Sequence, residues 1–410
     1  MPRPSQDGLE WKETLFELVP QWMRDPSIAA IENVCRQHLS IAPKDPCTVA
    51  FHTSGLFNKL YIVESASGPR MMRVSLPVYP RHKTRAEVAT LCWVRENITI
   101  PVPNVFAFDD TNDTRSVSSR LHEAGRDIPG LVVGTWETGV HIQGIGTLDL
   151  RKVDQVDQGH GAEDLDKVSP GLLVSHEFFM GDHLYYDIPR GPFRSSHDWL
   201  SAVLNIIIVH QTAVLEKTDD EDEKEDAEEI LPVARRLLAL VPKVFPAHPD
   251  EAETTALYHH DLHLNNILVN EKGEITAVLD WESISAMPLW MATMVPKVLD
   301  EPVREEEPQL HMYMDEIPEK CNDKNKCKNE LYFIHRMEWE TTQLRKVYNV
   351  TLRELWPEWS LEESYVELDF FQAVSQCDGI WVKKAVRGAD YLEKGQVMRF
   401  KDLWGSGLGL

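Results

Sequence analysis

No apolar run in these 410 residues reads as a membrane span, and the opening stretch, MPRPSQDGLEWKETLFELVPQW, is broken by acids. The chain therefore reads as a cytoplasmic protein with no membrane partner, no secretory leader and no typical mitochondrial presequence. Cysteine is sparse as well: the six are scattered, and even Cys321 and Cys327, five polar residues apart, match no metal-ligand spacing. Reduced thiols are expected rather than disulfides. Basic residues are scarce, 42 Lys and Arg against 66 Asp and Glu, which leaves a net charge of −24. A phosphate backbone would be repelled and no local basic patch offsets this, so a nucleic-acid partner is excluded. No internal repeat is visible. What is present is 42% hydrophobic and 9% aromatic residues, enough for two lobes around one interface.

The most informative stretch is YHHDLHLNNILVNEKGEITAVLDWE, Tyr258 to Glu282. Asp261 is followed five residues later by Asn266, and short β-branched runs at Ile267 to Val269 and Ile275 to Leu279 bracket the polar turn Asn270-Glu271-Lys272-Gly273. This predicts a β-hairpin. Asn266 stands where the first strand starts and Asp280 where the second ends, so antiparallel pairing brings an amide oxygen and a carboxylate to one edge. Two hard oxygen donors suit Mg²⁺, which takes one or two protein oxygens and leaves the rest of its shell to phosphates and water. Asp261, on the loop just upstream, fits a carboxylate that orients an acceptor hydroxyl or amine and takes its proton.

The run His259-x-Asp261-x-x-x-x-Asn266 resembles the catalytic loop of the aminoglycoside phosphotransferase and choline-kinase-like families, relatives of the protein kinases. Asp280-Trp281-Glu282 takes the place of the kinase Asp-Phe-Gly. The resemblance implies an α+β, bilobal, protein-kinase-like fold with a small β-rich lobe and a larger helical one. It implies an ATP-dependent phosphotransferase using Mg²⁺, with Asp261 as the base, Asn266 and Asp280 on the metal, and Glu282 as a supporting candidate. His259 and His263 would brace the loop by hydrogen bonding. Arg190-Gly191-Pro192-Phe193, Pro288-Leu289-Trp290, Pro296-Lys297-Val298-Leu299 and Arg304-Glu305-Glu306-Glu307-Pro308 are similar to the large fungal group of the phosphotransferase enzyme family. A zinc cluster of His259, His260, Asp261 and His263 is the competing reading, but it lacks a matching ligand pair elsewhere and leaves Asp280 unexplained.

Residues 47–110 should form the nucleotide-clamping lobe after an N-terminal helical extension, 1–46. Lys59 to Glu64 and Met71 to Val74 read as strands either side of the Ser67-Gly68-Pro69 turn. Ser54-Gly55-Leu56-Phe57-Asn58 holds one glycine and is a poor match to a Gly-rich phosphate loop. Arg73 falls where related enzymes place a basic residue on the nucleotide phosphates, and a guanidinium can grip phosphate in bidentate fashion. Glu87, opening a helix from Arg85 to Glu96, could steady it, although a glutamate in a first turn is also expected from the helix dipole. Ile100-Pro101-Val102-Pro103 ends that helix, and Asn104 to Phe108 reads as another strand.

The next interval, 111–168, departs from the family pattern: Thr111 to Ile128 is polar where an apolar hinge strand is usual, and Leu131 to Val133 is offered as a substitute. Two outcomes are open, an active enzyme acting on a small-molecule acceptor, or a catalytically impaired kinase-like scaffold with a damaged hinge. The larger lobe, 169–404, should hold a helix from Trp199 capped by Asp198, with Leu200, Val203, Leu204 and Ile207 on one face. Further helices are expected at Ile230 to Val241, Glu330 to Val347 and Ser360 to Val374. The acidic run Asp219 to Glu229 reads as a solvated loop. Acid near the cleft would favour a cationic acceptor.

Overall fold

The strand runs of the smaller lobe pair as expected, in a five-stranded antiparallel sheet ordered Cys47–Ser54, Asn58–Ser65, Arg70–Ser75, Ser119–Glu123, Val105–Asp109. A computed structural model describes residues 6, 8–14, 18–109, 119–123, 142–150, 168–247, 251–316, 330–356, 364–379 and 381–396. Ser119–Glu123 falls within the polar segment that lacked an obvious hinge strand. It nevertheless pairs with Arg70–Ser75 from Arg70↔Glu123 to Val74↔Ser119, because a ladder needs backbone donors and not an apolar sequence. The substitute hinge, Leu131 to Val133, and most of 111–168 lie outside the described residues.

The helix His82–Asn97 touches this sheet at Val105–Asp109 and packs mainly on the strand Gly146–Leu150, its Ala89, Leu91 and Val94 sharing a core with Ile142, Leu148 and Leu257. It begins three residues earlier than the sequence suggested, so Glu87 is in its second turn and the helix-dipole account of that residue falls away. The N-terminal segment is also not purely helical. The helix Ile28–His38 is preceded by the antiparallel pair Leu9–Glu13 and Leu18–Trp22, whose Leu9, Trp11 and Trp22 dock against Leu76, Tyr79 and Leu184.

In the larger lobe the helices Ser196–Lys217, Glu221–Val244, Tyr365–Ser375 and Val382–Glu393 share a core of Leu200, Leu204, Leu237, Phe370 and Ala385. Two expectations change here. The cap of the first helix is Ser195, whose Oγ accepts from the Asp198 N–H at 3.2 Å, and Asp198 lies in the first turn. The acidic run is not a loop: Asp220 caps Glu221–Val244 through Asp222 N and Glu223 N, and Glu221, Asp222 and Glu223 sit where the helix dipole favours negative charge. The helix Glu330–Leu355 extends beyond its expected end, and Tyr365–Ser375 starts later than expected.

A second sheet, ordered Val168–Pro170, Gly146–Leu150, Ser285–Pro288, Thr254–Tyr258, Ile142–Gln143, joins the lobes. Gly146 is required there, since a Cβ on it would stand 2.3 Å from Gly171 O. Thr254–Tyr258 delivers the chain to the Asp261 loop. Its outer face contacts the helical core through Tyr258, and its neighbour Ser285–Pro288 does so through Met287.

Among the buried histidines, His183 is 3% exposed, with Nδ1 on Glu177 O at 2.8 Å and Nε2 without a partner among the described residues. Burial pushes its pKa down to about 4, the Glu177 bond opposing this and His210 and His176 adding to it. The unfolded chain takes up this proton near pH 6.5 and the folded one does not until about 4. Stability should therefore fall as pH drops through that window, by roughly 2–3 kcal/mol at pH 4.5. Unfolding measured at pH 7 and 4.5 should show this acid-side loss, and His183→Gln should reduce it without abolishing it, because burial also pushes the His260 pKa down to about 4.

Candidate active site

The hairpin forms by register: Ile267 pairs with Val278 and Leu268 with Ala277, and the turn is closed by Gly273 N–H to Asn270 O at 2.9 Å. Gly273 has φ +79°, and the Asn270 side chain accepts from Lys272 N and Glu274 N, each at 2.9 Å. At the opposite end Leu279 N–H donates to Asn266 O at 2.8 Å, which places Asp280 one residue from Asn266 across the ladder. Asp280 takes φ +60°, a left-handed conformation that aspartate tolerates better than most residues, and there the chain leaves the strand.

Asn266 donates from Nδ2 to Asp261 O at 2.9 Å, an orientation that leaves its amide oxygen as the group available to a cation. The loop between them is held by histidines. His259 accepts the Asp261 N–H on Nδ1 at 3.3 Å and donates from Nε2 to Leu279 O at 3.1 Å, so one ring ties the loop to the strand that ends at Asp280. His263 accepts from Asn265 N on Nδ1 at 3.2 Å, which assigns the ring proton to Nε2 and makes its 3.0 Å contact a donation to Asp261 Oδ2. Both rings thus have bracing roles. His260 turns away onto the Tyr258 ring, 4.8 Å between centroids, and the described residues contain no cluster of three metal-ligating side chains. The zinc reading has no geometric basis.

The other oxygen of Asp261, Oδ1, meets Lys297 Nζ at 2.7 Å. Partial burial would push the Asp261 pKa up, but Lys297 and His263 outweigh this and hold it below the usual carboxylate range. Asp261 is ionised at neutral pH, ready to accept a hydrogen bond.

Arg73 projects from Arg70–Ser75 into a buried network. Its Nη2 meets Asp280 Oδ1 at 2.8 Å and Glu282 Oε2 at 2.7 Å, and Nη1 stands 3.6 Å from Glu87 Oε1. The expected Arg73–Glu87 pair is present, but it is the longest of the three. Glu282 also takes Lys83 Nζ at 2.5 Å and Asn58 Nδ2 at 2.7 Å, while Asn58 Oδ1 accepts from Ser75 and Lys83. Burial alone would raise the Glu282 pKa; Lys83 and Arg73 reverse it and hold the carboxyl far below its ordinary value. Arg73 stays charged despite burial because Glu282 and Asp280 face it.

Asp261, Asn266 and Asp280 come together at one hairpin end, and Arg73 reaches Asp280 from the other lobe with Glu87 standing 3.6 Å from it. Sequence reasoning missed Lys83 and Asn58 and gave Lys297 no role. Lys83 had one available signal, its position one turn before Glu87 on the same helix face; Asn58 and Lys297 had none. The Ser54-to-Asn58 segment is a tight hairpin turn closed by Gly55 N–H to Asn58 O at 2.9 Å, as its single glycine suggested.

Comparison with known proteins gives a family match over one segment and several more distant likenesses. A subtelomeric hrmA-associated cluster protein of Aspergillus fumigatus (strain CBS 144.89) is 24% identical over 306 residues, which is 60% of this chain and 60% of that protein; the chain thus spans about three fifths of that relative's length. An aminoglycoside phosphotransferase, APH(4)-Ia, in complex with ADP and hygromycin B is 12% identical with a TM-score of 0.38, covering 93% of this chain and all of the other. A macrolide 2'-phosphotransferase type I is 11% identical with a TM-score of 0.29, covering 84% and 99%. Residues 190–291 match the phosphotransferase enzyme family, and over this segment, which carries Asp261, Asn266 and Asp280, the chain is similar to that family, as the resemblance of the run His259 to Asn266 implied.

Proposed function

We propose that the protein is a kinase-like phosphotransferase that moves the γ-phosphoryl group of ATP to a hydroxyl of a small molecule. The observation that carries this reading is the meeting of Asp261, Asn266 and Asp280 at one end of the hairpin, with Asn266 turned so that its amide oxygen is left for a cation. In this reading the acceptor hydroxyl donates to Asp261, which takes its proton as the new O–P bond forms and the bond to the bridging oxygen breaks, the electron pair leaving with ADP.

The donor set fits Mg²⁺, one amide and one carboxylate oxygen, and the ion would offset charge on the phosphates. The Asp280 Oδ1 that Arg73 now holds is one edge of that carboxylate; the other is left for the metal. Arg73 Nε is buried without an acceptor among the described residues, and an arriving phosphate oxygen would satisfy it. Arg73, steadied by Glu87, is the phosphate-facing cation in this proposal. In this reading 47–110 clamps the nucleotide and 169–404 carries the chemistry.

Thermal unfolding titrated with ATP and Mg²⁺ tests this. Binding to the native state should stabilise it by about 2.7 kcal/mol at a ligand concentration one hundredfold above Kd. Stabilisation requiring both ATP and the metal supports the enzyme. Its absence would select the scaffold reading with a damaged hinge.

A further inference from the structure

We propose that Lys297 recognises the acceptor, and that it selects a hydroxyl compound carrying an anionic oxygen, such as a carboxylate, beside the reacting hydroxyl. This rests on the phosphotransferase reading and adds the chemistry of its second substrate. Lys297 opens a short turn, Lys297–Leu299, that is fixed from two sides. Val298 N–H donates to Leu262 O at 2.8 Å, one residue past Asp261. From the helix Glu330–Leu355, Arg345 donates to Leu299 O at 2.9 Å and to Glu301 O at 2.6 Å. The turn is therefore built to present Lys297 at the catalytic loop.

The side chain stays 63% exposed while Nζ touches Asp261 Oδ1 at 2.7 Å, so the ammonium lies at the cleft surface rather than inside a structural pair. An ammonium has three N–H donors, and among the described residues Asp261 is the acceptor that Lys297 has. Each Asp261 oxygen already accepts one bond, Oδ2 from His263 and Oδ1 from Lys297, and an acceptor hydroxyl that uses the second lone pair of Oδ1 lies beside the ammonium. Whatever group neighbours that hydroxyl then meets the two remaining N–H donors of Lys297. A carboxylate there gains charge-assisted hydrogen bonds; a substrate ammonium meets a like charge. The net charge of −24 argues the other way, towards cationic acceptors, but it is spread over the whole chain. Screening confines such charge to about 8–10 Å, so the cation at the reacting edge decides.

The test measures ATP consumption by the intact chain with Mg²⁺, in the presence of small hydroxy acids or of amino sugars and choline. Hydroxy acids should raise the rate above that with water alone. Lys297→Met should raise KM for the stimulating hydroxy acid by about tenfold or more, with a smaller change in kcat, and Lys297→Arg should restore much of it. The high exposure of Lys297 means the Met variant should still unfold cooperatively and be stabilised by MgATP. Stimulation by amino sugars or choline alone, or an unchanged KM in Lys297→Met, would overturn the assignment. So would a protein stabilised by MgATP that no hydroxy acid stimulates; that result strikes the acceptor class alone. Loss of MgATP stabilisation in the unsubstituted chain would instead remove the phosphotransferase reading, and this inference with it.

Discussion

Replacing Asp261 by asparagine should lower phosphoryl transfer by about 10²- to 10⁴-fold, the usual contribution of a positioned proton acceptor, while leaving the fold intact. The two halves of this expectation have separate causes. Asparagine keeps the shape and can still accept from Lys297, but its amide cannot take the proton that the acceptor hydroxyl must lose. The stability side is small because the Asp261 carboxylate is 44% exposed and Lys297 63% exposed, and ion pairs so open to water are worth about 0–1 kcal/mol. The measurement is turnover and unfolding on the same preparation. Retained turnover would remove Asp261 from the chemistry, and a collapsed fold would mean that its bonds to His263 and Lys297 are structural.

Replacing Glu282 by glutamine should do the reverse and act mainly on stability. Glu282 is 11% exposed, it touches Lys83, 3% exposed, and Arg73, 12% exposed, and it ties the turn after Asp280 to the smaller lobe. Removing one partner of a buried ion pair leaves the opposing charge in a poor dielectric, a loss of about 3–5 kcal/mol. Arg73 retains Asp280 and Glu87, so the cost falls chiefly on Lys83. The double variant Glu282→Gln, Lys83→Met should recover part of the loss, since the Lys83 charge that Glu282 offsets is gone too. Urea unfolding of the parent, of Glu282→Gln and Lys83→Met alone, and of the double variant gives the coupling directly. If Glu282→Gln unfolds at the same denaturant concentration as the parent, the network contributes no stability and its role is confined to positioning Asp280.

The contrast between these substitutions explains how much of the site could be read in advance. Asp261, Asn266 and Asp280 span twenty residues of chain and are brought together by one hairpin, whose strand runs, turn residues and register are local properties. The bracing by His259 and His263 is equally local. The helix boundaries went astray for local reasons too: Ser195 takes the cap in place of Asp198, and the acids at 221–223 stabilise a helix start where their charge suggested solvated loop. The polar strand Ser119–Glu123 escaped notice because sheet pairing uses backbone groups that side-chain pattern does not report.

By itself, then, the amino-acid sequence determined most strand and helix runs of the smaller lobe, the hairpin that brings Asn266 and Asp280 beside Asp261, and the family that this segment resembles. Tertiary structure alone decided which cations stand against those acids. Lys83 meets Glu282 across 199 residues and Arg73 meets Asp280 across 207, while Lys297 reaches Asp261 from a turn stitched to the catalytic loop by Val298. The physical reason is that hydrogen-bond register and helix period act between near neighbours in the chain. Ion pairing in a cleft depends instead on how two separately formed lobes pack, and on how much water that packing removes.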